Sequence, residues 1–323
     1  MSTVDVDLLI IGAGPSGLFA TYYAGFRGMS VALVDSLPEL GGQITAMYPE
    51  KDILDVAGFP RVKGRELVSG LVAQAEATGA RHLLGRTAIT LDHGEDDVTV
   101  TLDDDTVVRA KAVLVTAGIG KFSPRPLPAG ADWIGRGVEF FVPDFEPYRD
   151  KDVVIVGGGD SAFDWARSLE PIAGSVTLVH RRDAFRAHQR TVDEVLASSV
   201  KVITKAQVSA MRGGDTLSEV ELALDAGESM VLPAQAVVAA LGFVADLGPI
   251  QHWGITTEKR HIVVDPAMRT NLPRVFAAGD ITQYPGKVRL IAVGFGEAAT
   301  AVNNAAVVID PSAHVFPGHS SEG

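Results

Sequence analysis

A glycine turn set between a buried strand and a helix constrains this chain more than any other stretch. Asp7 to Ile11 is a short apolar run with the length and composition of a buried strand, and it empties into Gly12-Ala13-Gly14-Pro15-Ser16-Gly17. Good helix formers follow to about Ala24, and Val31 to Val34 reads as a second strand ending in Asp35. Each piece has a physical task in dinucleotide binding. Gly12 takes the dihedrals of the tight turn, Gly14 lets the main chain approach a pyrophosphate, and Gly17 lets helix pack close on strand. The helix start, with Pro15 and Ser16 in it, aims unpaired N–H groups at the phosphates. Asp35, eighteen residues past Gly17, stands where a carboxylate accepts hydrogen bonds from both hydroxyls of an adenosine ribose.

The pattern recurs. Asp152 to Val156 leads into Gly157-Gly158-Gly159-Asp160-Ser161-Ala162, with Ala162 in the third glycine's place; a helix runs to Leu169 and a strand from Val176 to Val179. Ala162 precedes His180 by the same eighteen residues. At the ribose-reading position the acid is therefore gone, and Arg181 and Arg182 follow, with Arg186 about a turn on. Guanidinium groups there bind a 2′-phosphate through charge-assisted hydrogen bonds of about 1.5–3 kcal/mol each. Two of them would favour NADP over NAD by roughly 10²- to 10⁴-fold. A solvated basic turn is the alternative reading.

With 323 residues, 46% of them hydrophobic, the chain can fill two cores. The formal charge of -12 argues against nucleic-acid binding, which relies on Lys and Arg to displace counterions, and against an anionic membrane surface. Cysteine is absent, which excludes disulfides, thiolate metal sites and dithiol redox chemistry; no metal site is expected. With no basic leader and no long uninterrupted apolar window, the expectation is a cytoplasmic protein that does not span a membrane.

Between the motifs, Ser36 to Pro49 reads as a loop over the mouth of the first sheet. Gly42, Gln43 and Tyr48 lie in it, the last two either touching the ligand or merely capping and gap-filling. Gly64 to Ala80 carries a packing helix, and Arg86 to Ala110 a small β-meander with solvated acidic turns. Val113 to Gly118 follows as a separate buried strand. Three prolines between Phe122 and Gly130 mark a domain crossing, and Asp246 to Pro249 the return. Between them Val200 to Leu232 alternates, and Ala236 to Phe243 is a buried strand. Gly279-Asp280 ends a strand near 275–280, where an acid suits another ribityl or ribose hydroxyl. Arg289 to Val308 reads as a helix interrupted by Gly294 and Gly296.

These features resemble the low-molecular-weight thioredoxin reductases, whose Cys-x-x-Cys pair falls where this chain has Phe140-Phe141-Val142-Pro143-Asp144-Phe145. The chain is closer still to the bacterial thioredoxin-reductase-like ferredoxin (flavodoxin)–NADP+ reductases. That likeness is carried by Gly41 to Gln43, Tyr48 to Lys51, Asp55 to Pro60, Gly279-Asp280, Gly286-Lys287-Val288, Gly294 to Ala298 and Pro317 to Ser320. It implies an α/β fold of two Rossmann-like, three-layer ββα dinucleotide-binding domains, the second inserted in the first. FAD would lie on residues 1–120 and 246–323, and NADP on 121–245.

The resemblance further implies that Asp35, Gln43, Tyr48, Ala88, Phe122, Asp280 and Ser321 contact FAD. Tyr48 would stack on one face of the isoalloxazine, and His319, from the tail of the partner in a homodimer, would cover the other. The reaction implied moves electrons between NADPH and ferredoxin or flavodoxin through FAD, hydride arriving at the flavin N5 and single electrons leaving. Alternatives are an NADPH oxidase or diaphorase, or an FAD- and NADP-bearing redox sensor without productive turnover. Arg61, Lys63, Arg65, Lys121 and Arg125 are either a docking patch for an acidic partner or scattered solubilising charges.

Overall fold

The first motif opens a sheet whose inner strands end in residues buried on both faces, Leu8–Ile11, Val31–Asp35 and Ala112–Val115. The computed structural model describes residues 2–225, 227–316 and 318, without the side chains of Lys121, Phe122 and Ala245. His319 and Ser321 lie outside the described residues, as does the side chain of Phe122. The strands β1 (Thr3–Ile11), β2 (Val31–Asp35), β3 (Arg81–Leu84), β4 (Ala88–His93), β5 (Val98–Leu102) and β6 (Val107–Val115) form the order β3-β2-β1-β6-β5-β4. The pairs β1–β2, β1–β6 and β2–β3 are parallel; β5 runs antiparallel to its neighbours. The helices α1 (Pro15–Phe26), α2 (Gln43–Met47) and α3 (Gly64–Glu76) connect these strands.

The acidic meander and the buried strand expected after it share one strand. β6 pairs with β5 through Val107–Ala110 and continues without a break to Val115. Nothing between Ala110 and Val113 can stop it: Lys111 points outward in alternation, and no glycine, proline or asparagine intervenes.

The second motif builds another sheet, β7 (Val138–Glu139), β8 (Asp152–Val156), β9 (Ser175–Val179), β10 (Lys201–Ile203) and, later in the chain, β14 (Ala236–Ala239), in the parallel order β7-β14-β8-β9-β10. Between β10 and β14, β11 (Ala206–Gly213), β12 (Leu217–Leu224) and β13 (Ser229–Pro233) make an antiparallel meander. The period of two along β8 separates three layers. Val153 and Ile155 pack with Phe163, Trp165 and Leu169 of α4 (Asp160–Leu169) and Val192 and Val195 of α5 (Gln189–Leu196). Val154 and Val156 face the meander through Val208, Val220 and Leu222. The strand expected over 236–243 stops at Ala239, and Phe243–Asp246 is a separate strand pairing with Lys121–Pro124.

The chain returns through β15 (Val275–Ala277), parallel to the end of β6, and α6 (Ile291–Ile309). α6 is continuous through Gly294 and Gly296, where an interruption was expected. Each glycine costs a helix about 1 kcal/mol. A side chain at 294 would overlap the Ser16 hydroxyl, so close packing outweighs propensity there. Among the described residues α6 is the one helix long and apolar enough to cross a membrane; it packs on α1, β6 and β15, as a core helix does. Glu297, Asn303 and Asn304 within it are why no uninterrupted apolar window stands out in the sequence.

Two units result. One holds the described residues up to Ala46, Asp52–Lys121 and those from Ala245; the other holds Met47–Lys51 and Phe122–Val244.

Candidate functional site

The first glycine turn is held by backbone geometry. The Gly12 N–H donates to the Val34 carbonyl at 2.8 Å, and its φ of 112° puts any Cβ 2.5 Å from the Thr116 carbonyl oxygen. The Thr116 hydroxyl donates to the Gly12 carbonyl at 2.7 Å. A Cβ on Gly17 would overlap that same Gly12 carbonyl oxygen, so α1 lies directly on the turn. Gly14 is different: nothing stands within 4 Å of where its Cβ would be. It is also the N-cap of α1, with no side chain capping it and Pro15 following. Open space beside uncapped helix N–H groups is what an incoming pyrophosphate requires.

Asp35 is almost wholly buried, with Oδ2 accepting the Ala13 N–H at 2.6 Å and Oδ1 the Leu37 N–H at 2.8 Å. These two bonds fix the carboxylate at the turn and leave each oxygen a further lone pair. Burial raises its pKa above the usual carboxylate range, against the two N–H donors. Asp35→Asn separates two responses of opposite sign. Ionised Asp35 opposes folding above its raised pKa, so its contribution to apo-protein stability improves as pH falls through that value. Affinity for an adenosine ribose should fall over the same range as an acceptor becomes protonated. Fluorescence titration with FAD at stepped pH should show the decline in the native protein and a flatter profile in the variant.

Other residues converge on this turn. The Gly41 N–H donates to the Ala13 carbonyl at 2.9 Å, Gly42 abuts the Gly14 Cα, and Gln43 reaches toward Gly118. Gln43 opens the short helix α2, inside the stretch expected to be loop. The Arg86 N–H donates to the Asp35 carbonyl at 3.0 Å, which brings the start of β4, at Ala88, alongside the end of β2. Gly279 and Gly294 both close on the Ser16 hydroxyl. Burial raises the pKa of Asp280, against the nearby charges of Lys287 and Arg289.

Tyr48 belongs to the second unit. It packs on the core cluster of the second unit, with the Lys51 ammonium 5.9 Å from its ring centroid and Lys51 paired at 2.6 Å with Asp164 of α4. Arg61 and Lys63 both lie on Asp52, at 3.4 and 3.2 Å, and Arg125 belongs to the second unit.

The second turn repeats the first with altered chemistry. Gly159 is the N-cap of α4, with open space at its missing Cβ and no side-chain cap, and Asp160, Ser161 and Ala162 form the first turn of the helix. Asp160 accepts the His188 N–H at 2.8 Å, and the Arg186 N–H donates to the Gly158 carbonyl at 2.8 Å, so the basic loop folds back onto the glycines. A Cβ at Gly158 would overlap the His180 imidazole, which explains a third consecutive glycine. His180 leans on Phe185, centroids 5.7 Å apart, and Phe185 sits edge-on to Phe163 at 4.8 Å. Burial lowers the His180 pKa, and the charges of Arg181, Arg182 and Arg186 lower it further, so neutral imidazole is favoured beside exposed guanidinium groups. In the stretch 140–145, Phe141 stacks on Phe243 at 5.2 Å, Val142 is buried and Phe145 sits edge-on to Trp165.

Sequence reasoning missed a buried cluster beneath Gly279: Thr282, Tyr284, Lys287 and Glu297. Lys287 and Glu297 lie in stretches that carry the family likeness, but nothing local marks them as partners.

The chain matches the model of the pyridine nucleotide-disulphide oxidoreductase family over residues 6–305. It is 75% identical to a ferredoxin–NADP reductase of Nocardioides sp., covering 100% of this chain and 98% of that protein. Among solved structures, Lactococcus lactis thioredoxin reductase superposes with a TM-score of 0.79 at 26% identity, over 94% of this chain and 99% of that one. For T. acidophilum thioredoxin reductase the values are 0.80 and 25%, over 93% and 97%.

Proposed function

Because the chain belongs to the pyridine nucleotide-disulphide oxidoreductase family, and within it to the ferredoxin–NADP reductases, we propose that it moves electrons between NADPH and a ferredoxin or flavodoxin through FAD. The observation that carries this reading is the contrast between the two glycine turns. A buried acid closes the first and exposed arginines close the second. The first suits the adenosine ribose of FAD, the second the phosphorylated ribose of NADPH.

The residues present fit both groups. Gly14 and the start of α1 would hold the FAD pyrophosphate, with Asp35 on the ribose and Asp280 on a ribityl hydroxyl; Gly12, Ser16, Gly17, Gly42, Gln43 and Gly279 shape that cradle. Gly159 and α4 would hold the NADP pyrophosphate, with Arg181 and Arg182 on the 2′-phosphate. Bound FAD would accept hydride at N5 and pass electrons on singly. Packed aromatics stand where a dithiol relay would, so the acceptor must approach the flavin directly. The reading includes a cytoplasmic location, where NADPH is available.

Anaerobic stopped-flow mixing tests the proposal. The purified protein should be yellow, bleach with NADPH and deliver electrons faster to ferredoxin or flavodoxin than to oxygen or quinones. A colourless protein that stays colourless with added FAD would refute it.

The reading extends to a homodimer. Phe19, Tyr22, Tyr23 and Phe26 line one side of α1, joined by Phe295, and Phe26 is 65% exposed. Arg27 holds the start of the tail through the His314 and Val315 carbonyls at 3.0 and 3.2 Å. An aromatic face of this kind suits burial against a second copy. Removing the tail after Pro311 should change turnover if it carries a cover for the partner's flavin. Unchanged turnover with unchanged mass by light scattering would remove that cover.

A further inference from the structure

Beneath the Gly279–Asp280 turn lies an ion pair that no step of the proposed reaction uses. The Lys287 ammonium is 2.5 Å from Glu297 Oε1, with the two side chains only 1% and 4% exposed. A buried pair of this kind is weak evidence of stability, because desolvating both charges offsets most of their attraction. What it holds is therefore more informative.

Glu297 Oε2 accepts the Gly279 N–H at 2.7 Å, while Oε1 accepts the Tyr284 hydroxyl at 2.5 Å. On the other side of the same residue, Lys287 donates to the Gly279 carbonyl at 3.0 Å, and the Thr282 hydroxyl donates to it at 2.8 Å. Both peptide groups flanking Gly279 are thus held by side chains of one buried cluster. Gly279 has a φ of 83°, and a Cβ there would stand 2.9 Å from the Ser16 hydroxyl of the first glycine turn. Gly294, one turn before Glu297 on α6, closes on the same hydroxyl. The cluster consequently sets how the end of β15, the start of α6 and the start of α1 meet. Burial, and then the bond to Glu297, push the Tyr284 hydroxyl up to about 12, so it remains a donor to that carboxylate.

We propose that Glu297 and Lys287 are positioning residues for flavin binding: together they fix the Gly279–Asp280 turn against Ser16, and so the carboxylate that meets the ribityl chain. This rests on the reading of the first unit as the FAD site.

Three variants separate positioning from bulk stability. In Glu297→Asp the charge stays but the reach to the Gly279 N–H is lost. In Lys287→Met with Glu297→Leu both charges go together, the exchange that is often neutral or better for stability. Tyr284→Phe removes one donor and leaves both contacts to Gly279 in place. For each, the thermal midpoint of the apo-protein and its FAD dissociation constant by fluorescence titration are measured, with the visible circular dichroism of bound flavin.

The expected result is an FAD dissociation constant raised about 10- to 100-fold in Glu297→Asp, the loss of one charge-assisted hydrogen bond, and at least as much in the double variant, which loses two. Their flavin dichroism should be altered, and the midpoint of the double variant near native. Tyr284→Phe should keep native affinity. FAD affinity that simply follows the midpoint across the series, or stays native in Glu297→Asp, overturns the proposal; if the double variant does not fold, Glu297→Asp decides alone. Native protein that takes up no FAD sinks the functional reading and this inference together, whereas native protein and variants that bind it equally sink this inference alone.

Discussion

Replacing Arg181 and Arg182 together by alanine should cut the preference for NADPH over NADH by about 10²-fold, with the change in the Michaelis constant for NADPH and little in that for NADH. Two charge-assisted hydrogen bonds to a phosphate are worth roughly 10²- to 10⁴-fold when they add. Both guanidinium groups are exposed, so water screens them, and the lower end applies. The loop that carries them is well anchored. Arg186 donates its N–H to Gly158, Asp160 accepts that of His188, and the His180 and Phe185 rings pack toward Phe163. Truncating two exposed side chains should leave that anchoring intact, so the loss is one of recognition. Steady-state kinetics with both coenzymes is the check, and equal losses on NADPH and NADH would remove the assignment.

Both turns were legible in the sequence because their information is local. Strand, glycines, helix and the residue eighteen positions on are all fixed by short-range geometry; in the structure Asp35 accepts the Ala13 N–H and the loop after His180 folds onto Gly158. The cluster under Gly279 was illegible for the opposite reason. Lys287 sits ten residues from Glu297 in a glycine- and proline-bearing loop, where a lysine ordinarily reads as a solvated charge; only the fold brings the two together. α6 was misread because helix propensity counts each glycine as a cost and cannot see Ser16 across the interface. Tyr48 shows the same limit from another side. A tyrosine in a loop gives no sign of which core it packs on, and here that core is the α4 side of the second unit.

The glycines of the first turn carry separable duties, and two single substitutions should divide them. Gly17→Ala places a methyl group on the Gly12 carbonyl oxygen, a backbone atom that cannot swing aside, so α1 must lift from the turn. Overpacking of this kind costs about 1–3 kcal/mol, and more where backbone has to move. In a unit of this size that is a drop in the thermal midpoint of the apo-protein of roughly 2–4 °C per kcal/mol. Gly14→Ala meets nothing within 4 Å, and its φ of -70° suits any residue, so the apo-protein should lose only the small advantage glycine has as an N-cap. The added methyl then stands where the pyrophosphate must approach the main chain. Loss of even one backbone N–H bond to phosphate raises the FAD dissociation constant by at least about 10-fold. Calorimetry of the apo-proteins beside FAD titrations should therefore show Gly17→Ala failing in stability and Gly14→Ala failing in binding alone. If Gly14→Ala binds FAD as the native protein does, the pyrophosphate does not pass over this turn, and the open space beside α1 has some other use.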